Sequence, residues 1–109
     1  MTIDPQVPEI DVAALATFLA GGATVIDVRQ PDEYAESHAP GAQLIPLAIV
    51  PDNLDSFPSS GPVYIICQSG GRSMRASEFL RAEGIDAINV AGGTKAWLAA
   101  GHPFETGAS

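Results

Sequence analysis

Pro62-Val63-Tyr64-Ile65-Ile66 is a run of strand-forming residues with no polar face, and it ends on the only cysteine, Cys67. A strand that alternates apolar with polar side chains can leave one face in water. A strand that is apolar throughout must be covered from both sides. In a chain of 109 residues, that requirement points to a buried strand in a sheet with helices packed on it.

The flanking segments supply those helices and further strands. Val7 to Ile10 reads as a short opening strand. Asp11 suits a helix N-cap, because its carboxylate can accept an orphan N–H of the first turn. Val12, Leu15, Ala16 and Leu19 then fall on one helical face, and Gly21-Gly22 ends the helix. Ala23 to Val28 is a second buried strand. Gln30-Pro31-Asp32-Glu33-Tyr34 places proline and acids where a short helix tolerates them, at its start. Pro40-Gly41 predicts a turn, Ala42 to Pro46 a short strand, Pro51 to Phe57 a turn or short helix, and Pro58 to Gly61 a loop. Ser73 to Glu83 predicts a helix with Ala76, Phe79 and Leu80 on its apolar face, stopped by Gly84. Asp86 to Val90 gives a last strand, and Thr94 to Ala100 a last helix closed by Gly101. No repeat or linker-like run interrupts this order. The expectation is one α/β domain over residues 1–109, with a small, mainly parallel sheet flanked by helices on both faces.

Charge narrows the partners. Five Lys and Arg stand against 13 Asp and Glu, a net charge of −8, which disfavours nucleic acid and anionic membranes. No apolar run approaches the roughly 18 residues of a membrane helix, and residues 1–6 lack the features of a signal peptide, so the chain reads as cytoplasmic. The acidity is uneven: residues 1–60 carry nine acids and one base, whereas residues 61–109 carry four of each. Arg72, Arg75 and Arg81 follow Cys67 with only Glu78 among them, so a small anion is best tolerated there. A lone cysteine excludes an intrachain disulfide and a Cys-x-x-Cys pair. His38 and His102 lie 29 and 35 residues from it, without metal-site spacing, so neither a metal nor a cofactor is expected.

The stretch that carries chemistry is Cys67-Gln68-Ser69-Gly70-Gly71-Arg72-Ser73. It joins a strand to a helix at the strand's carboxyl end, where ligands bind in open α/β sheets. Two glycines permit the backbone to wind round the sulfur with its N–H groups inward, and the helix start adds partial positive charge. A free cysteine has a pKa of about 8.5, lowered to roughly 3.5–7.5 in such surroundings. Cys67 is therefore a candidate nucleophile, with the amides of Gln68, Ser69, Gly70, Gly71 and Ser73, together with Arg72, as the holders of an anionic group beside it. Arg75, a turn further on, is within reach of the same group. Against this stands the ordinary reading of a lone cysteine as a small buried hydrophobe. The conjunction of strand, cysteine, glycines, arginine and helix start within seven residues favours chemistry. Gly92-Gly93-Thr94-Lys95 is too short for a P-loop, and Gly71-Arg72-Ser73-Met74-Arg75 lacks the second glycine of a serine-hydrolase elbow.

Three stretches resemble the rhodanese family of sulfurtransferases. Val25-Ile26-Asp27-Val28-Arg29, through Glu33-Tyr34 to His38-Ala39-Pro40-Gly41-Ala42, is similar to the signature D-V-R-x-x-x-E-[YF]-x-x-G-H-I-P-G-A. Cys67 to Ser73 resembles the loop C-x-x-G-x-R-S. Gly92-Gly93-Thr94-Lys95-Ala96-Trp97, with Gly101-His102-Pro103, resembles G-G-x-x-A-W-x-x-x-G-x-P. The resemblance implies that Cys67 takes a sulfane sulfur from a small anionic donor, typically thiosulfate, and passes it from a persulfide to cyanide, a thiol or a protein. With no second thiol in the chain, that acceptor comes from outside. The resemblance also separates this six-residue loop from the longer one of related phosphatases and arsenate reductases. Gln68 stands where many thiosulfate enzymes have arginine, and Ser37 and Ala39 replace the usual Gly and Ile. Asp27, Arg29, His38, Trp97, Gly92 and Gly93 are expected to be scaffold, with Glu33 as a partner for Arg29.

Overall fold

The computed structural model describes residues 3–108. Five strands form one sheet: β1 (Glu9–Ile10), β2 (Val25–Asp27), β3 (Gln43–Leu44), β4 (Pro62–Ile66) and β5 (Asp86–Val90), in the order β1-β5-β4-β2-β3. Every pairing is parallel. The helices are α1 (Val12–Ala20), α2 (Pro31–Glu36), α3 (Gly71–Ala82) and α4 (Gly93–Ala99), with a 3-10 segment at Leu47–Ser56 kinked at Asn53. The α/β expectation holds.

β4 sits in the middle, and its side chains show why it carries no polar face. Val63, Ile65 and Cys67 pack with Ala76 and Leu80 of α3 and with Val50 and Phe57 on one side of the sheet. Tyr64 and Ile66 pack with Val12, Leu15, Tyr34 and Trp97 on the other. Each of these aliphatic residues is almost fully buried, and fully burying one such side chain is worth about 1.5–3 kcal/mol. α3 therefore covers one face, and α1, α2 and α4 cover the other.

Local signals set several element ends. Asp11 caps α1, accepting the Ala14 N–H at 2.8 Å. Pro31 opens α2, and Glu33 reaches back to accept the Gln30 N–H at 3.0 Å. The strand boundaries are tighter than the composition suggests: β1 and β3 have two residues each and β2 three. Phe79, expected in the core, is 36% exposed, because α3 turns Ala76 and Leu80 to the sheet and Phe79 lies at the edge of that stripe.

The strand order creates a switch point. From β2 the chain crosses through α2 to β3 at one edge; from β4 it crosses through α3 to β5 in the opposite direction and on the opposite face. The loops after β2 and β4 consequently diverge above adjacent carboxyl ends, with Asp27 in register with Ile66. A crevice opens there, as the topology requires.

Candidate active site

The crevice has a volume of about 340 Å³ and is lined by Arg29, Glu33, Glu36, Ser37, Gln68 and Leu98. Two larger hollows, of about 450 and 460 Å³, lie among residues that include Gly61 and Ser60, and neither is lined by an arginine or by a residue of the Cys67–Ser73 loop.

Cys67 follows the last residue of β4 and is 1% exposed. Burial alone pushes its thiol up. The Ser73 hydroxyl, 3.3 Å from Sγ, and the N–H groups of Ser73, Gly70 and Ser69 outweigh that and hold the thiol below its ordinary value. The Gly70 N–H donates to Sγ at 3.1 Å. The turn that aims it needs Gly70 at φ 111°, a conformation that an L side chain rarely adopts. Gly71 needs no such freedom and is already the first residue of α3, two residues earlier than expected.

Amides point inward because the carbonyls of the same peptides are held elsewhere. The Thr94 N–H donates to the Cys67 carbonyl at 2.8 Å, and the Lys95 N–H to the Gln68 carbonyl at 3.0 Å. These are first-turn donors of α4, which have no partner within their own helix. The Asn89 side chain, 1% exposed on β5, donates to the Gly70 carbonyl at 3.3 Å and to Glu9 at 2.8 Å. Gly93 permits this approach: a Cβ there would lie 2.4 Å from the Cys67 carbonyl oxygen and 2.6 Å from that of Gln68.

The neighbouring turn after β2 is built from charges. Asp27 and Arg29 are 0% and 2% exposed, and the guanidinium holds the carboxylate through Nε at 3.0 Å and Nη2 at 2.8 Å. Nη2 also donates to the Ser37 carbonyl at 2.7 Å, and Nη1 to the Gln68 side chain at 3.2 Å. Leaving either charge alone would cost about 3–5 kcal/mol.

Glu33 does not pair with Arg29. It accepts two bonds from Arg72, from Nη1 at 2.7 Å and Nη2 at 2.9 Å. The Arg72 hydrogen bonds pull the Glu33 carboxyl down to about 2, against its burial, with help from the Gln30 N–H. Glu33 is thus ionised at neutral pH and holds no proton to donate. Arg72 accordingly engages a carboxylate rather than standing open above the sulfur, and Arg75 is exposed. His38 lies away from this crevice, buried and stacked on Tyr34 with ring centroids 3.7 Å apart, its Nδ1 2.7 Å from the Tyr34 carbonyl. The expected site residues of the loop do come together. Arg29, Glu33, Asn89 and Gly93 join them as residues that the sequence reading left as scaffold or passed over. Asn89 carried a signal, being a polar residue flanked by the apolar Ile88 and Val90 inside a strand.

A sulfur held by main-chain donors at the switch point of a parallel sheet defines an α/β protein built around a loop cysteine. The rhodanese-like domain family matches residues 11–100, and the chain belongs to that family, which is of sulfurtransferase type. It is 35% identical to a sulfurtransferase of Allochromatium vinosum over 91% of this chain and 95% of that one. It is 33% identical to a putative sulfur carrier protein of Bacillus subtilis over 84% of this chain and 51% of that one. Among solved structures, a rhodanese-like domain protein from Staphylococcus aureus superposes with a TM-score of 0.83 at 39% identity, covering 92% of this chain and 98% of that one.

Proposed function

We propose that this protein moves a sulfane sulfur from thiosulfate or a similar donor to a thiophilic acceptor through a persulfide on Cys67. The observation that carries the reading is the convergence of the Gly70 N–H and the Ser73 hydroxyl on one buried sulfur. Donors so placed favour a thiolate, the nucleophilic form, without a general base.

With thiosulfate, the Cys67 thiolate attacks the outer sulfur. The bond between the two donor sulfurs breaks, and its electron pair departs with sulfite. The amides of the Gln68–Ser73 loop then hold the anionic persulfide as they held the thiolate. Cyanide, an external thiol or a protein takes the outer sulfur, and the electron pair returns to Cys67. Each step conserves charge and requires neither a metal nor a redox partner. Gln68 lines the entrance, where its side chain is held by Arg29.

A second reading is a sulfur-carrier role with one protein partner and little small-molecule turnover. The likeness to the putative sulfur carrier protein of Bacillus subtilis favours it. Intact mass after incubation with thiosulfate tests the shared step: one added sulfur, removable by a thiol reductant, is expected. Cys67→Ser loses that addition and loses thiocyanate formation while keeping its melting midpoint; undiminished turnover in the variant rejects the mechanism. Steady turnover of thiosulfate and cyanide separates the enzyme from the carrier.

A further inference from the structure

Asn89 alternates with Ala87 along β5, so it stands on the face of the sheet that packs against α3, and it is 1% exposed. Its Oδ1 is buried and has no donor among the described residues, an arrangement that an apolar side chain would avoid. The nitrogen makes the bonds. Nδ2 donates to Glu9 at 2.8 Å and to the Gly70 carbonyl at 3.3 Å. That carbonyl also accepts the Met74 N–H at 3.1 Å.

Which way round the amide stands decides whether it holds the loop. One end of an asparagine amide donates and the other accepts, and the two ends are nearly equal in size. Turned over, Asn89 would set Oδ1 against the Gly70 carbonyl, oxygen against oxygen. Glu9 opposes that turn. A carboxylate accepts and does not donate, so only the NH2 end can face it, and the bond to Glu9 is the shorter of the two. Glu9 lies on the edge strand β1, in register with Asn89, and is exposed. Neither residue falls in the three signature stretches.

Gly70 is where a loosened grip matters. Its N–H is on Sγ at 3.1 Å, and its carbonyl is on Asn89 and Met74. A glycine has the widest choice of φ and ψ, so releasing the carbonyl lets the N–H swing away from the sulfur.

We propose that Glu9 is a positioning residue for the sulfur site and acts through Asn89. Its carboxylate fixes the amide, the amide holds the Gly70 carbonyl, and the Gly70 N–H stays on Cys67. The consequence for sulfur transfer rests on the sulfurtransferase reading; the aim of the N–H does not. Glu9 also bears a negative charge, which by itself disfavours a thiolate nearby. Removing Glu9 therefore separates the two roles by sign: lost positioning raises the pH at which the thiol ionises, and lost charge lowers it.

The experiment titrates thiolate absorbance against pH in the unaltered protein, Glu9→Ala, Glu9→Gln, Asn89→Ala and the double alanine variant, subtracting the matching Cys67→Ser protein from each. Glu9→Ala keeps the backbone pairing of β1, so its melting midpoint is expected to match that of the unaltered protein. Its titration moves to higher pH, and at a fixed pH below the midpoint its thiolate fraction falls about threefold, the size of one weakened hydrogen bond. Thiosulfate loads Cys67 more slowly by the same factor, read by intact mass at that pH. Glu9→Gln restores an oxygen acceptor and recovers most of the loss. Asn89→Ala falls at least as far as Glu9→Ala, and the double variant falls no further than Asn89→Ala.

A titration in Glu9→Ala that stays in place or moves to lower pH overturns the inference. So does a double variant in which the two single losses multiply. Should Asn89→Ala fail to fold, the two Glu9 variants decide alone. Absence of loading in the unaltered protein overturns the sulfurtransferase reading and not this one, because the titration reads the thiol before any donor is added.

Discussion

The chain twice leaves a strand through a pair of glycines into a helix, at Gly70-Gly71 after β4 and at Gly92-Gly93 after β5. The two turns look alike in sequence and do different work. At Gly70 a Cβ would meet nothing closer than 3.6 Å, so glycine is required there for its φ of 111°. At Gly93 φ is also positive, at 59°, but the decisive fact is the carbonyl oxygen of Cys67, 2.4 Å from where a Cβ would stand. One glycine bends an amide toward the sulfur. The other admits the neighbouring helix, whose N–H groups grip the carbonyls behind it. The cysteine loop is thus half of a two-part device, and its second part lies at the turn that follows the next strand.

Breaking the second part is expected to have the largest effect. Gly93→Ala forces backbone against backbone and should cost about 2–4 kcal/mol in unfolding free energy, read from denaturant melts, with loss of persulfide formation in whatever remains folded. Gly70→Ala meets only conformational strain, about 1–2 kcal/mol. It withdraws an N–H from the sulfur, so the thiolate absorbance should titrate at higher pH than in the unaltered protein. The sign follows from the donors: they lower the thiol below its ordinary value, so the ionised form persists as pH falls until that depressed value is crossed. Ser73→Ala removes one donor without touching the backbone and should move the titration the same way, with a smaller change in stability.

Gly71→Ala sharpens the contrast from the other side. Its φ is helical, nothing lies within 4 Å of the added carbon, and the variant should gain up to about 1 kcal/mol while leaving the titration in place. A loss at Gly71 equal to that at Gly70 would show that the two glycines are not distinguished by conformation at all.

Much of this was legible in the residues. The Pro62–Ile66 run announced a strand covered on both faces, and the seven residues from Cys67 announced a nest at its end, because both signals are local. Pairings distant in sequence were not legible. Glu33 and Arg72 are 39 positions apart, and the nearby Arg29 reads as the partner of that acid until the sheet order places α2 against the loop. That Asp27 and Arg29 each need a partner follows from burial at a strand end, but the sequence offers Glu33 to Arg29, where the structure gives it Asp27. The short strands Glu9–Ile10 and Gln43–Leu44 were read too long: each is an edge strand with one neighbour to pair with, and composition does not register where pairing stops. Phe79 was placed inside by its period, which identifies a helical stripe but not the width of the groove that receives it.

The grip of α4 on the Cys67 and Gln68 carbonyls also imposes an order in time. A ribosome adds Cys67 well before Thr94 and Lys95, so a half-made chain holds a thiol whose peptide groups are still free to rotate. Until the last helix docks, those two carbonyls lack the donors that fix them in the folded chain. A copy cut short before Thr94 would lack both of the donors that hold the Cys67 and Gln68 carbonyls.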